Sequence, residues 1–378
     1  MTYAAITGWG KCMPPAVLTN ADLATFLETD DEWITSRTGM KERRISHVHA
    51  VELSYVAAKR ALACAGLVPS DIDLIVYGSC SFDEIVPNSA SALQYKLGAG
   101  NAASMDVNTA CTSFLYSWTT ANAMVRSGVV KRALVVGVEL ISRYMDWENR
   151  GVAVLFGDGC AAIVIEATDE KTGLLAESLG CISDARGILR IGGYGATYAN
   201  ANVSFGDMSW TFDGPQIFKK AVQGMTDASA KALAKAGVSA EDIDLVVPHQ
   251  ANSRIIESVA KYAGIPMSKV QLTVQKYGNM SAATVPVALV EALEEGRIKP
   301  HAKLLMPAFG AGLTVCSHYA EWGNRVTPKD VSDVELPPCD KTALELVNEI
   351  RGAKDIHGRS AAGLAAAYYV DKKPYGTQ

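Results

Sequence analysis

Ala61-Leu62-Ala63-Cys64-Ala65-Gly66, followed by Asp71-Ile72-Asp73-Leu74-Ile75-Val76, recurs as Ala232-Leu233-Ala234-Lys235-Ala236-Gly237, followed by Asp242-Ile243-Asp244-Leu245-Val246-Val247. The offset is 171 throughout, and residues 61–79 match 232–250 at ten of nineteen positions. Each copy reads as a helix ending at glycine, a short loop carrying aspartate, and a buried strand. The register extends outward. Asn108 falls opposite Asn279, and residues 133–137 fall opposite 304–308. Phe156-Gly157-Asp158-Gly159 then matches Phe309-Gly310-Ala311-Gly312 at an offset of 153, so about eighteen extra residues sit near 140–156.

Strands alternating with helices predict an α/β protein of two duplicated βα halves, with helices as crossovers between parallel strands. Two such halves pack as sheets separated by helices, giving five layers, αβαβα. The expected division is 1–175 for the first half, 176–325 for the second and 326–378 for an added tail. Ligands in such sheets bind at the C-terminal ends of strands. The repeat brings Cys111, His249, Asn279 and the 309–312 loop to equivalent strand ends, so they are expected to converge where the halves meet.

The segment Met105-Asp106-Val107-Asn108-Thr109-Ala110-Cys111-Thr112-Ser113-Phe114 reads as a strand, a turn and a helix start. A cysteine there faces unpaired N–H groups and the positive end of the helix dipole. This predicts a thiol pKa below the free value of about 8.5 and a nucleophilic thiolate. His249 lies in Val247-Pro248-His249-Gln250-Ala251-Asn252; Asn279 lies in Tyr277-Gly278-Asn279-Met280-Ser281-Ala282-Ala283. Cysteine, histidine and asparagine at strand ends form a candidate acyl-transfer site. The first half has Gly78 where the second has His249, so the repeated fold does not itself require a histidine. Asn108 opposite Asn279 leaves a helix-capping role open for the asparagine.

Composition narrows the classes. Of 378 residues, 49% are apolar and 20% charged, and the formal net charge is −5. That describes a globular chain with no basic excess for nucleic acid. No apolar run approaches the roughly 20 residues of a membrane helix. The start of the chain reads as a first strand, with no secretory signal. Eight scattered cysteines form no C-x-x-C pair and no metal-ligand spacing, which predicts free thiols in a reducing cytoplasm and no metal. Seven of them read as small inert hydrophobes. Residues 181–210, rich in Gly, Ala, Asn and Ser, read as a long connecting loop. In the tail, residues 340–351 read as a capped helix with Leu344, Leu346, Val347 and Ile350 on one side, and 360–370 as another.

Taken in order, these motifs resemble the β-ketoacyl-[acyl-carrier-protein] synthase III family, of thiolase-like fold. The resemblance spans about residues 1–323 and includes Trp33…Arg37-Thr38-Gly39, Glu42-Arg43, Asn149-Arg150-Gly151 and His249-Gln250-Ala251-Asn252-Ser253-Arg254 beside the stretches already quoted. It implies a homodimeric condensing enzyme of fatty-acid biosynthesis that uses acyl-CoA and malonyl-acyl carrier protein and needs no cofactor. By resemblance Cys111 carries the acyl group, and the amides of Cys111 and Ala311 form the oxyanion hole. His249 and Asn279 serve decarboxylation; Trp33, Arg37 and Arg150 contact CoA; Arg254 docks the carrier protein. Val86 and Phe212 fall at acyl-pocket positions. Val86 stands where short-chain enzymes often place a bulky Phe, so a medium-length primer is expected. Thr112 and Ser113 depart from the family's smaller residues, and the tail lacks a counterpart in the typical member. Other readings are a secondary-metabolite ketosynthase or acyltransferase, a head-to-head acyl condensing enzyme, and a non-catalytic carrier-docking subunit.

Overall fold

The computed structural model describes residues 2–197 and 208–357. The first half gives, in chain order, β1 (Tyr3–Cys12), β2 (Ala16–Thr19), α1 (Asn20–Ala24), α2 (Asp31–Thr38), β3 (Glu42–Ile45), α3 (Ala50–Ala65), β4 (Leu74–Gly78) and α4 (Ser89–Leu97). It continues with β5 (Ala103–Val107), α5 (Ser113–Arg126), β6 (Arg132–Leu140), α6 (Arg150–Ala153) and β7 (Asp158–Thr168). The second half gives β8 (Gly173–Cys181), β9 (Leu189–Gly192), β10 (Ser209–Phe212), α7 (Gly214–Ala236), β11 (Leu245–Val246) and α8 (Ser253–Tyr262). It ends with α9 (Val274–Tyr277), α10 (Thr284–Glu294), β12 (Lys303–Gly310) and β13 (Thr314–Glu321), and the tail adds α11 (Ala343–His357).

The main sheet runs β11-β12-β13-β8-β1-β7-β6-β4-β5. It is two half-sheets in the same internal order, joined at the single pair Ala4–Gly173. A Cβ on Gly173 would lie 1.8 Å from the Ala4 carbonyl oxygen, so only glycine allows this seam. The second-half counterpart of β5 is reduced to one bridge, Val246–Val270.

The duplication holds down to single hydrogen bonds. Asp71 Oδ2 accepts from the Val68 amide at 2.9 Å, and Asp242 Oδ2 from the Ser239 amide at 2.8 Å. Asp73 Oδ2 accepts from the Arg132 amide at 2.9 Å, and Asp244 Oδ2 from the Lys303 amide at 2.8 Å. Asp73 and Asp244 therefore pin the start of the neighbouring strand in the sheet, β6 beside β4 and β12 beside β11. α3 and α7 end at Gly66 and Gly237, both left-handed.

Three helical layers enclose the two half-sheets. α3 and α4 cover one face of the first, and α7 covers the outer face of the second with α8 packed against it. α5 and α10 fill the middle. α10 is apolar apart from Glu291 and Glu294 near its end, and Val285, Val287, Leu289, Val290 and Leu293 are all buried. Such a helix is stable only between two other layers. Each of these side chains contributes about 1.5–3 kcal/mol on burial.

Two expectations change. Residues 181–210 are not simply a connecting loop, because β9 and β10 pair antiparallel, Leu189 with Phe212 through Gly192 with Ser209. The partners are too far apart in sequence for a turn signal to reveal them. The tail helix begins at Ala343 and extends to His357. Thr342 and Glu345 close a capping box at its start, and Ala343, with Leu346, Val347 and Ile350, is buried while Leu344 is only half-buried. The second tail helix expected at 360–370 lies outside the described residues. No helix among the described residues is long and apolar enough to cross a membrane.

Candidate active site

Cys111 occupies the middle of the Ala110–Thr112 turn between β5 and α5. Its second-half equivalent is the Ser281–Ala283 turn before α10. Both turns start at a non-glycine residue with positive φ, Ala110 at 53° and Ser281 at 46°. In both, an asparagine side chain two residues earlier accepts from that residue's amide: Asn108 Oδ1 from Ala110 at 3.2 Å, Asn279 Oδ1 from Ser281 at 2.8 Å. This local bond offsets the cost of the left-handed conformation. The capping function of the two asparagines is thus shared, but it uses only the oxygen and leaves the Asn279 Nδ2 as a further donor.

The Ser281–Ala283 turn and its flanks tie the three expected residues together. Ser281 Oγ donates to Cys111 Sγ at 3.4 Å. Thr284 Oγ1 lies 2.6 Å from His249 Nδ1 and 2.9 Å from the Ser281 carbonyl oxygen, its two possible acceptors. The Asn279 backbone is held by the first half: its amide donates to Leu155 O at 2.9 Å and its carbonyl accepts from Gly157 at 3.1 Å.

His249 follows the last residues after β11, and its amide donates to Pro307 O on β12 at 2.9 Å. The ring is fully buried and meets Phe309 edge-on with centroids 5.4 Å apart. Burial pushes its pKa down to about 3, so it is neutral at pH 7. Its Nε2 is buried without a partner in the described structure.

The backbone N–H groups of Cys111 and Ala311 both bear on Cys111 Sγ. Ala311 arrives there because β12 ends in Gly310, where a Cβ would lie 2.8 Å from the Cys111 amide nitrogen. Thr314 Oγ1, which accepts from Thr112 Oγ1 at 2.8 Å and donates to Thr109 O at 3.0 Å, fixes the start of β13 against the cysteine turn.

The expected depression of the Cys111 pKa is corrected. Burial dominates and pushes the thiol up to about 12; Ser281 and the two amides act in the opposite direction. A helix start stabilises a thiolate only against the cost of removing its charge from water, and here that cost is larger.

Cys80 departs from the hydrophobe part of its reading, because its thiol is engaged by a buried carboxylate. Its Sγ donates to Glu139 Oε2 at 2.9 Å and lies 3.8 Å from Ser281 Oγ. Glu139 is fully buried, and its Oε1 also accepts from Ser79 Oγ and the Cys80 amide, both at 2.7 Å. Burial, then the Glu139 charge, push the Cys80 thiol well above its ordinary range. Cys12, Cys64, Cys160 and Cys316 are buried, Cys339 is half-buried and Cys181 is exposed; all eight cysteines are free. Among the described residues no cluster of His, Cys, Asp and Glu suits a metal ion.

A cavity of about 720 Å³ opens beside the cysteine turn, lined by Ala110, Ala311 and Gly312 on one side and by Cys80, Phe82, Ile141 and Leu189 on the other. Glu84 and Ile85 reach it, whereas Val86 is 82% exposed and outside the lining. Phe212 also lies outside the lining, packed near Phe309 and Ile217. Trp33 and Arg37 on α2 meet Arg150 of α6: the two guanidinium groups stack on the indole at 4.6 and 4.5 Å. Arg254 is exposed on α8, which packs against α2.

Sequence reasoning did not single out Ser281, Thr284, Cys80 or Glu139 as site residues. The repeat held a signal for Ser281, since its counterpart Ala110 makes the same turn without a hydroxyl.

With this geometry in place, comparison with known proteins identifies the class. The family model of the 3-oxoacyl-[acyl-carrier-protein] synthase III C-terminal part matches residues 233–322, and the 3-oxoacyl-[acyl-carrier-protein] synthase III family model matches residues 105–183. A β-ketoacyl-[acyl-carrier-protein] synthase III 2 of Vibrio cholerae is 50% identical over 347 residues, covering 92% of this chain and 96% of the relative. A β-ketoacyl-[acyl-carrier-protein] synthase III of Roseiflexus castenholzii is 41% identical and covers 85% of this chain and 98% of its own. The crystal structure of 3-oxoacyl-[acyl-carrier-protein] synthase III from Aquifex aeolicus superposes with a TM-score of 0.79 at 38% identity, over 84% of this chain and 100% of the other. The fold and site thus define a thiolase-fold acyltransferase that condenses acyl groups. The chain belongs to the β-ketoacyl-[acyl-carrier-protein] synthase III family.

Proposed function

We propose that Cys111 is the acyl carrier of this condensing enzyme and that His249 and Asn279 serve the decarboxylation. The observation that supports this reading best is the 279–284 stretch, which carries Asn279, donates to the Cys111 sulfur and anchors His249.

In the first half-reaction the Cys111 sulfur attacks the thioester carbonyl of an acyl-CoA. The carbon–sulfur bond to CoA breaks, and the CoA thiolate takes the proton that Cys111 gives up. Charge on the carbonyl oxygen is met by the Cys111 and Ala311 amides, a type of contact worth about 2.7–4 kcal/mol per donor. Trp33, Arg37 and Arg150 hold the nucleotide end of CoA; guanidinium groups suit both phosphate and ring stacking.

In the second half-reaction malonyl-acyl carrier protein loses CO₂, and the bonding pair moves into an enolate. Asn279 Nδ2 and His249 Nε2 donate to the enolate oxygen. The histidine proton sits on Nε2 when the Thr284 hydroxyl donates to Nδ1. A neutral imidazole suits this step, because a cation there would stabilise the carboxylate that must depart. The enolate carbon attacks the acyl-Cys111 carbonyl; the bond to sulfur breaks, and the departing thiolate takes a proton from water. The chain's own groups supply this chemistry without a resident cofactor. Arg254 is assigned to carrier docking, and Val86, exposed beside the cavity, to a contact across a homodimer.

The 720 Å³ cavity beside the cysteine turn favours a medium-length primer. A panel of acyl-CoA primers with malonyl-acyl carrier protein tests both parts. Mass spectrometry should find the acyl group on Cys111, and octanoyl-CoA should load at least as fast as acetyl-CoA. Strong acetyl preference without octanoyl transfer removes the primer assignment. Acyl mass on Cys111→Ala removes the nucleophile.

A further inference from the structure

The nucleotide end of the proposed CoA site is assembled from two separate stretches, α2 with the loop before it and the segment leading into α6. Arg150 joins them: its guanidinium lies over Trp33 and its Nη1 donates to Glu28 O at 2.6 Å. The tail meets both stretches at a matching register. The Arg351 guanidinium on α11 lies over the Phe26 ring at 4.4 Å, two residues before Glu28. Its Nε and Nη2 both reach Glu148 Oε1 at 2.8 Å, two residues before Arg150. Phe26 in turn packs edge-on against Trp147 at 6.4 Å.

The tail is well anchored for this. Lys329 donates from its amide to Cys64 O at 3.0 Å, Arg60 pairs with Glu335 at 2.5 Å, and His47 Nε2 lies 2.9 Å from Pro337 O. Ala343, Leu346, Val347 and Ile350 then bury α11 in the cluster that holds Leu18, Leu23 and Trp147. α11 also packs on β2 and β3, the strands between which α1 and α2 emerge.

From this we infer that the C-terminal extension is part of the CoA site, with Arg351 as a positioning residue that clamps the Phe26–Glu28 and Glu148–Arg150 stretches together. The inference rests on the assignment of Trp33, Arg37 and Arg150 to CoA. Arg351 has a second effect, since it neutralises a carboxylate two residues from a side chain meant for phosphate. Glu148 is 69% exposed, so the ion pair alone contributes little, and the clamp acts on substrate affinity by a modest factor. Lysine at 351 keeps the charge but loses the planar fork and the stack.

The test uses the full chain and the fastest primer of the panel, supplied as its CoA thioester and as its pantetheine thioester, which lacks the nucleotide. Arg351→Ala should raise KM for the CoA thioester about three- to tenfold, leave kcat within about twofold, and leave the pantetheine thioester unaffected. Arg351→Lys should fall between. Equal effects on both substrates, or none on either, overturn the clamp. Arg150→Ala separates the two levels. If it weakens only the CoA thioester while Arg351→Ala does nothing, the clamp fails and the CoA site stands. If Arg150→Ala affects neither substrate, the CoA assignment itself fails.

Discussion

The Ser281 hydroxyl lies 3.4 Å from the Cys111 sulfur and donates to it, although 170 residues separate the two in sequence. Ala110 makes the equivalent turn in the first half, so the hydroxyl is not a requirement of the backbone. A hydrogen bond to a charged group contributes about 1.5–3 kcal/mol. Ser281→Ala should therefore slow acyl-enzyme formation about 10- to 100-fold and slow alkylation of Cys111 by iodoacetamide at fixed pH. Unchanged rates of both would show that the bond does not stabilise the thiolate.

His249 and Asn279 are expected to act after Cys111 is loaded. His249→Ala and Asn279→Ala should lower CO₂ release from malonyl-acyl carrier protein at least about 100-fold, as loss of an oxyanion donor does. Acyl loading, read by mass, should fall far less. Equal loss in both half-reactions would place these side chains in the structure of the cysteine turn instead.

Gly310 makes room for the cysteine turn. The Cβ of Gly310→Ala would sit 2.8 Å from the Cys111 amide nitrogen, so β12 or the turn must move. We expect at least about tenfold slower acylation with a cooperative unfolding transition retained, measured by single-turnover kinetics and thermal melting. Full activity in that variant would mean the two amides tolerate displacement.

Two buried histidines set an acid limit. Burial lowers both His249 and His318 to about 3, against about 6.5 in an unfolded chain. Between those values the unfolded chain binds protons that the folded chain does not, so stability falls as pH falls from 6.5 towards 3. Asp158 works the other way, because burial raises it to about 6 and its folded form gains protons first. Burial also raises Asp106, which is only half-buried; the two fully buried histidines outweigh the aspartates, so the urea midpoint should drop between pH 7.5 and pH 5. His318→Gln should lose less over the same interval; parallel pH curves for variant and wild type would contradict this.

Much of the architecture was legible because a duplicated sequence carries its own control. Gly66 and Gly237, Asp73 and Asp244, and Asn108 and Asn279 are matched in sequence and make matched contacts. The β9–β10 pair was not legible, since sixteen residues separate Gly192 from its partner Ser209 in the chain. The Cys111 pKa was read with the wrong sign, because a helix start is visible in sequence and the depth of burial around it is not.

The sequence by itself determined the two-half α/β design, the repeated helix–loop–strand units, and the chemical types present at the strand ends. Periodicity and repetition are written along the covalent chain and need no third dimension. Only the tertiary structure decided that Ser281 touches Cys111, that Thr284 holds His249, and that Arg351 joins two stretches of the first half. Those contacts depend on how layers pack across separations of 35 to more than 200 residues, and no local pattern encodes a distance of that kind.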